Sequence, residues 1–260
     1  MPIISINGEP FNVRSDGPEA APVLLLSNSL SSDLSMWDDQ APGWSRHFRV
    51  VRYDQRGHGR SVVSPGPYTM DQLGQDALAV LDALGIARAH FLGLSMGGMV
   101  GMWALVHAPG RIGRAVLSNT SAYMGPAELW NGRIALATGG GMEATVEPTV
   151  HRWFPPEFHQ AAPAAIDRMR AMIGRVPLEG YLGCCAAIRD MDQRESIRSI
   201  RNLVLVIIGA KDPATTPEAG RAIHAAIPGA QMVVLDAAHI SNVEQPAAFA
   251  RVVEEFLLAE

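Results

Sequence analysis

The 260-residue chain predicts an α/β fold: a mostly parallel central sheet with helices on both faces and one helical insertion. Three observations predict it. Near-continuous apolar runs alternate with stretches of helical spacing, and strands apolar at nearly every position are strands covered on both faces. The alternation breaks once, between residues 121 and 197, where Met, Trp, Pro and Gly occur at helical spacing without a clear strand. One apolar run also ends in Gly-Leu-Ser-Met-Gly, residues 93–97, directly before a helical pattern.

Taken in order, "ISINGEPFNVRS" (4–15) reads as an opening hairpin about Asn7-Gly8. The runs 22–27, 48–54, 89–94, 114–119, 203–209 and 230–236 read as strands. Helical patterns at 71–84, 96–107, 217–226 and 246–258 lie between or after them. No Ser/Gly linker and no internal repeat separates the parts. Residues 1–120 and 198–260 are therefore expected to form one core, with 121–197 as a helical cap packed on it.

Composition narrows the function. Hydrophobic residues are 48% and charged residues 18%, which suits a packed globule. The net charge of −5 argues against nucleic acid or an anionic membrane as partner. Residues 91–110 carry no formal charge, but Gly93, Gly97, Gly98, Gly101 and Pro109 interrupt them, so strand, turn and buried helix fit better than a membrane span. The opening "MPIISINGEPF" lacks the basic flank and apolar core of a signal peptide. Cys184 and Cys185 are adjacent, poorly placed for a mutual disulfide and too few for a zinc site. A reduced, cytoplasmic protein is expected, and the sequence offers no metal-ligand cluster or phosphate loop. Oligomeric state is not legible.

The chemistry centres on Ser95. A strand turning sharply into a helix forces the serine into a strained conformation, and side chains two residues to either side would clash, hence the glycines. The turn lifts the hydroxyl to a helix N-terminus, whose dipole favours developing negative charge. A serine needs a base. Of eight histidines, His239 follows the last strand run, at the sheet edge where catalytic groups converge. The carboxylate expected to hold it is Asp212, directly after the run 203–209. The alternative acid position, after 114–119, holds Asn119, and Asp236 is too near His239 in the chain. Ser95, Asp212 and His239 thus form a catalytic triad in the order Ser…Asp…His. The oxyanion donors are expected to be the backbone N–H groups of Met96 and of Leu30, in the loop after 22–27.

These residues carry a resemblance. With "DQRGHGRS" (54–61), where His58 reads as structural, the whole chain resembles the α/β-hydrolases that bear a helical cap. Most of that family has His-Gly where this chain has Asn28-Ser29. "LLLSNSLSSDLSMWD", "GLSMGGMVG", "GAKDPATTP" and "AAHISNVEQP" together resemble the 3-oxoadipate enol-lactonases. The resemblance implies opening of an enol-lactone in the β-ketoadipate pathway of aromatic degradation, without a cofactor, on a small anionic lactone. Other small-ester hydrolysis, cofactor-free perhydrolysis, acyl transfer to another acceptor, and a lactone-binding receptor on the same fold are the alternatives. For the substrate carboxylate, Arg133 falls within the apolar helix face of Leu129, Trp130, Ile134, Leu136 and Ala137. Trp153 is the second cap candidate, and Arg152 the next arginine to consider.

Overall fold

A computed structural model describes residues 3–259. Strands β1 (Ile3–Ile6) and β2 (Glu9–Asp16) form the opening hairpin, and Asn7 and Gly8 both take positive φ, as a tight two-residue turn requires. Six parallel strands follow: β3 (Val23–Ser27), β4 (Arg49–Tyr53), β5 (Ala89–Leu94), β6 (Ile112–Ser118), β7 (Val204–Gly209) and β8 (Gln231–Leu235). The order across the sheet is β1-β2-β4-β3-β5-β6-β7-β8, with β2 antiparallel to β4. The chain steps outward from β3 to β4, then returns to the other side of β3 to lay down β5. The loops after β3 and β5 therefore diverge, and this reversal opens a crevice at the carboxyl ends of the strands.

The core helices are α1 (Ala41–Trp44), α2 (Met70–Ala83) and α3 (Met96–His107). Helix α3 is buried on every side from Met96 to Leu105, which explains its lack of a polar face. Between β6 and β7 come α4 (Ala127–Gly140), α5 (Glu143–Trp153), α6 (Pro156–Ala161), α7 (Pro163–Gly174) and α8 (Leu178–Asp190). Prolines at the first turns of α6 and α7, and Gly141 at positive φ after α4, break this segment into short helices. Its neck is tied by a bridge between Tyr123 and Asp192 and by Gln193 N–H donating to the Ala122 carbonyl at 2.8 Å. Helices α9 (Pro217–Ala226), α10 (Ser241–Glu244) and α11 (Pro246–Leu258) complete the chain. No described helix is long and apolar enough to cross a membrane.

Two expectations need correction. The run 230–236 does form a strand, but β8 is the last in the sheet, and Met232 and Val234 are exposed rather than covered on both faces. An edge strand keeps the apolar pattern without the second layer that would bury it. The face drawn for α4 is also too wide: Leu129 is 62% and Leu136 45% exposed, while Trp130 and Ala137 are buried. Helix α4 packs on α5 and α8 along the narrow stripe 130, 133, 134 and 137, with Arg133 and Ile134 half-buried on it.

The close approach of α3 to β3 depends on Gly97, where a Cβ would overlap the Ser27 carbonyl, a backbone group that cannot move aside. Gly97→Ala is expected to lower stability by about 2 kcal/mol or more, overpacking outweighing the roughly 1 kcal/mol gain in helix propensity. Urea unfolding should show a lower midpoint at unchanged m-value; an unshifted midpoint would mean that the sheet and helix have slack here.

Candidate active site

Ser95 occupies the single residue between β5 and α3 and has φ 57° and ψ −118°. A non-glycine backbone there costs about 1–3 kcal/mol and persists only when its surroundings enforce it. They do so from several sides. The Ser95 N–H donates to the Ser118 carbonyl at 2.9 Å, and the Ser95 carbonyl accepts from Thr120 Oγ1 at 2.7 Å and from the N–H groups of Gly98 and Met99. Gly93 lies so close under the turn that a Cβ would overlap the Gly97 carbonyl.

The structure brings Ser95, His239 and Asp212 together. His239 Nε2 lies 3.0 Å from Ser95 Oγ, and His239 Nδ1 lies 2.9 Å from Asp212 Oδ2. All three residues are buried. The Asp212 carboxylate is ringed by donors: Oδ1 accepts from the N–H groups of Ala214 (2.8 Å) and Thr215 (3.0 Å), and Oδ2 from Thr215 Oγ1 (2.8 Å) and Asn119 Nδ2 (3.1 Å). Burial alone would raise its pKa. The neighbouring His239 charge and these hydrogen bonds prevail and hold it below the usual carboxylate value. An ionised Asp212 keeps the imidazole proton on Nδ1, so Nε2 is free to accept the Ser95 hydroxyl proton. Asp236 is exposed and pairs with Lys211 at 3.0 Å.

Several supporting residues escaped the sequence reading. Asn119, at positive φ, donates to both Asp212 and the Ala238 carbonyl and accepts from Ser118 and Ser241, clamping the acid loop to the histidine loop. Thr215 was detectable only as a hydroxyl three residues beyond the acid. The cap also reaches the histidine: the Trp153 carbonyl, at the end of α5, accepts the His239 N–H at 3.1 Å.

The loop after β3 forms the facing wall. Asn28 is fixed by Trp37 Nε1 donating to its Oδ1 and by its own Nδ2 donating to the Tyr53 carbonyl, both at 2.8 Å. Ser31, at φ 67°, donates its N–H to His58 Nε2 at 3.0 Å. His58 Nδ1 lies 3.3 Å from the Arg56 carbonyl, which places the ring proton on Nδ1 and makes the neutral imidazole a brace for the loop. Burial pushes the His58 pKa down to about 4. Leu30 lines the cavity beside Ser95, and the Met96 N–H, first of α3, has no carbonyl partner within its helix.

Over this edge lies the cap. Met124, Trp130, Arg133, Arg152, Trp153 and Tyr181 line the cavity that contains Ser95 and His239, and among the described residues no carboxylate lines it. The Arg133 guanidinium stacks over the Trp130 ring at 4.3 Å, and Arg152 Nη2 donates to Thr149 Oγ1 at 3.1 Å. Burial, then the charge of Arg133, lowers the Arg152 pKa to about 10. Neither arginine has an ion-pair partner among the described residues. An anion in this cavity would meet two guanidiniums together, that of Arg133 and that of Arg152, which the sequence offered as successive candidates.

Residues 22–162 match the family described as the alpha/beta hydrolase fold, and residues 170–259 match one described as TAP-like protein. The chain is 40% identical to 3-oxoadipate enol-lactonase 2 of Acinetobacter baylyi, covering 94% of this chain and 91% of that one. It superposes on the enol-lactonase of Burkholderia xenovorans LB400 with a TM-score of 0.97 at 43% identity, covering 99% of this chain and 100% of that one. A protein of Pseudomonas savastanoi pv. phaseolicola named for carbamate hydrolysis, RutD, is 29% identical over 92% of this chain and 95% of its own length.

The His58 brace gives a pH signature. The unfolded imidazole takes up a proton near pH 6.5, the buried one only near pH 4. Stability is therefore unaffected by this group above pH 6.5 and falls as pH drops towards 4, by roughly 3 kcal/mol in total. His58→Gln, which keeps an acceptor for Ser31, should flatten that part of the urea-unfolding profile. An identical acid slope in both proteins would show that His58 does not carry it.

Proposed function

The chain belongs to the α/β-hydrolase family and is a hydrolase, and from that premise we propose that it opens an enol-lactone ring, converting 3-oxoadipate enol-lactone to 3-oxoadipate in the cytoplasmic β-ketoadipate pathway. One observation carries the reading: the hydrogen-bonded series Ser95–His239–Asp212 opens into a cavity with two half-buried arginines and, among the described residues, no ion-pair partner for either and no carboxylate. A neutral ester gives such a cavity no reason to exclude acids. An anionic ester does. The names of the enol-lactonases that this chain is similar to support the same substrate.

In the proposed reaction Ser95 Oγ attacks the lactone carbonyl while His239 Nε2 takes its proton, and Asp212 stabilises the imidazolium without itself becoming protonated. The N–H groups of Leu30 and Met96 receive the oxyanion, Met96 adding the field of the α3 N-terminus. Collapse breaks the ring C–O bond. His239 returns the proton to the leaving oxygen, and the enol becomes a ketone. Leaving group and acyl group remain one molecule, so the acyl-enzyme holds an unfurled chain. Water, deprotonated by His239, then attacks the acyl carbon and releases Ser95. Arg133 and Arg152 hold the substrate carboxylate, with Trp130 and Trp153 walling the ring.

Loss of enol-lactone absorbance with purified protein, set against p-nitrophenyl esters and a simple carbamate, tests the substrate. Preference for either of the latter would overturn it. Ser95→Ala should abolish turnover of every substrate while leaving unfolding behaviour intact, and Asp212→Asn should lower kcat on the order of 10⁴. A larger loss from Asp236→Asn would name the wrong acid. Arg133→Met should raise KM for the lactone about 10- to 100-fold, as expected for a lost charge-assisted hydrogen bond. A neutral ester should be little affected; equal losses on both substrates would reduce Arg133 to a packing role.

A further inference from the structure

A second positively charged cavity lies at the opposite edge of the sheet. About 600 Å³ in volume, it is lined at the amino ends of β3, β5, β6 and β7 by Val23, Arg88, His90, Arg114, Arg201 and Asn202, among others. Among the described residues, no acidic one lines it. Because β5 separates His90 from Ser95, this cavity and the catalytic one are about 17 Å apart along the strand at ~3.3 Å per residue.

Its arginines differ from most others in the chain. Nearby Arg111 pairs with Asp82 at 2.6 Å, and Arg198 with Glu195 at 3.3 Å. Arg88, Arg114 and Arg201 have no ion pair among the described residues, a property they share with the two arginines of the catalytic cavity. Each is instead held by backbone carbonyls through only part of its donor set. Arg114 Nη1 donates to the Phe256 carbonyl at 2.8 Å, Arg201 Nη1 to those of Arg198 and Ile200 at 2.8 Å, and Arg88 Nε to that of Ile112 at 3.4 Å. A guanidinium has five N–H donors, so each is oriented yet keeps donors for a ligand. His90 Nδ1 accepts the Arg114 N–H at 3.0 Å, leaving Nε2 to carry the ring proton as a further donor. Burial first, then the charges of Arg114 and Arg88, lowers the His90 pKa, consistent with a positive local field.

We propose that this basal cavity binds a small anion carrying two or more negative charges, held by Arg88, Arg114 and Arg201. A single charge would leave two guanidiniums uncompensated. A volume of this order suits a small molecule, and a pit in a chain of net charge −5 does not suit a nucleic-acid strand. Phosphate esters and polycarboxylates share the required chemistry, since both accept paired N–H bonds from guanidinium.

Calorimetric titration at constant ionic strength, with inorganic phosphate and citrate as probes and chloride as the monovalent control, tests the site. Saturable binding of at least one probe at a millimolar or lower Kd is expected. Arg88 and Arg201 are exposed, so the double variant Arg88→Gln/Arg201→Gln should fold and should weaken that binding at least tenfold. If its Tm without anion is lowered, Arg201→Gln alone serves. Arg133→Met, which alters the catalytic cavity, should leave in place the binding that the basal variants weaken. Tighter phosphate binding would identify a phosphate ester as the ligand class, and tighter citrate binding a polycarboxylate. The proposal is overturned if neither probe binds beyond chloride, if the basal variants bind as the unaltered protein does, or if Arg133→Met removes the binding.

Discussion

The turn at Ser95 is the constraint on which the rest depends. To place one hydroxyl at the head of α3, the chain accepts a positive φ at a non-glycine residue and brings α3 within backbone contact of β3. That approach admits no side chain at Gly93 or Gly97. It also fixes three relations at once: the hydroxyl stands at the carboxyl edge of the sheet, the first N–H groups of α3 point to the same space, and the loop after β3 is held alongside. Strain at one residue is sustained because Ser118, Thr120 and the first turn of α3 all hydrogen-bond to its backbone.

The polar groups gathered at this edge are kept in place by satisfying almost every donor and acceptor. Five donors converge on Asp212 from three segments, so its charge is stabilised where burial would otherwise remove it. His58 illustrates the opposite solution. It is buried without a carboxylate partner and stays neutral, and neutrality is what lets Nε2 accept from Ser31. One imidazole is paired with a carboxylate on Nδ1 and faces a hydroxyl on Nε2, while the other is buried without a carboxylate partner.

The cap adds charge of a single sign. Arg133 is supported by the Trp130 ring and Arg152 by Thr149, neutral partners that orient a guanidinium without cancelling it. The same device recurs at the far edge of the sheet, where backbone carbonyls hold three arginines. In a chain with an excess of acidic residues, most arginines pair with a carboxylate among the described residues; of the eight that do not, five line these two cavities, and Arg46, Arg49 and Arg60 lie elsewhere.

The order of strands and helices was legible in the sequence because backbone periodicity is a local property: 3.6-residue and two-residue patterns, and the Asn7-Gly8 turn, need no knowledge of distant residues. Ser95, Asp212 and His239 stood out for the same reason, since each follows a strand run and chain order alone sets the end of the sheet at which it emerges. What tertiary structure decided was every relation between segments far apart in the chain. Asn119 could be read as an acid that was missing, not as the donor that clamps Asp212 from 93 positions away. His58 carried no sign that it braces the loop at Ser31. The width of the buried stripe on α4 depended on which helices lie against it, and the exposure of Met232 and Val234 on the absence of a covering layer over that face of the edge strand β8 among the described residues. Side-chain pattern reports which way a residue faces along its own element; only packing determines what it meets there.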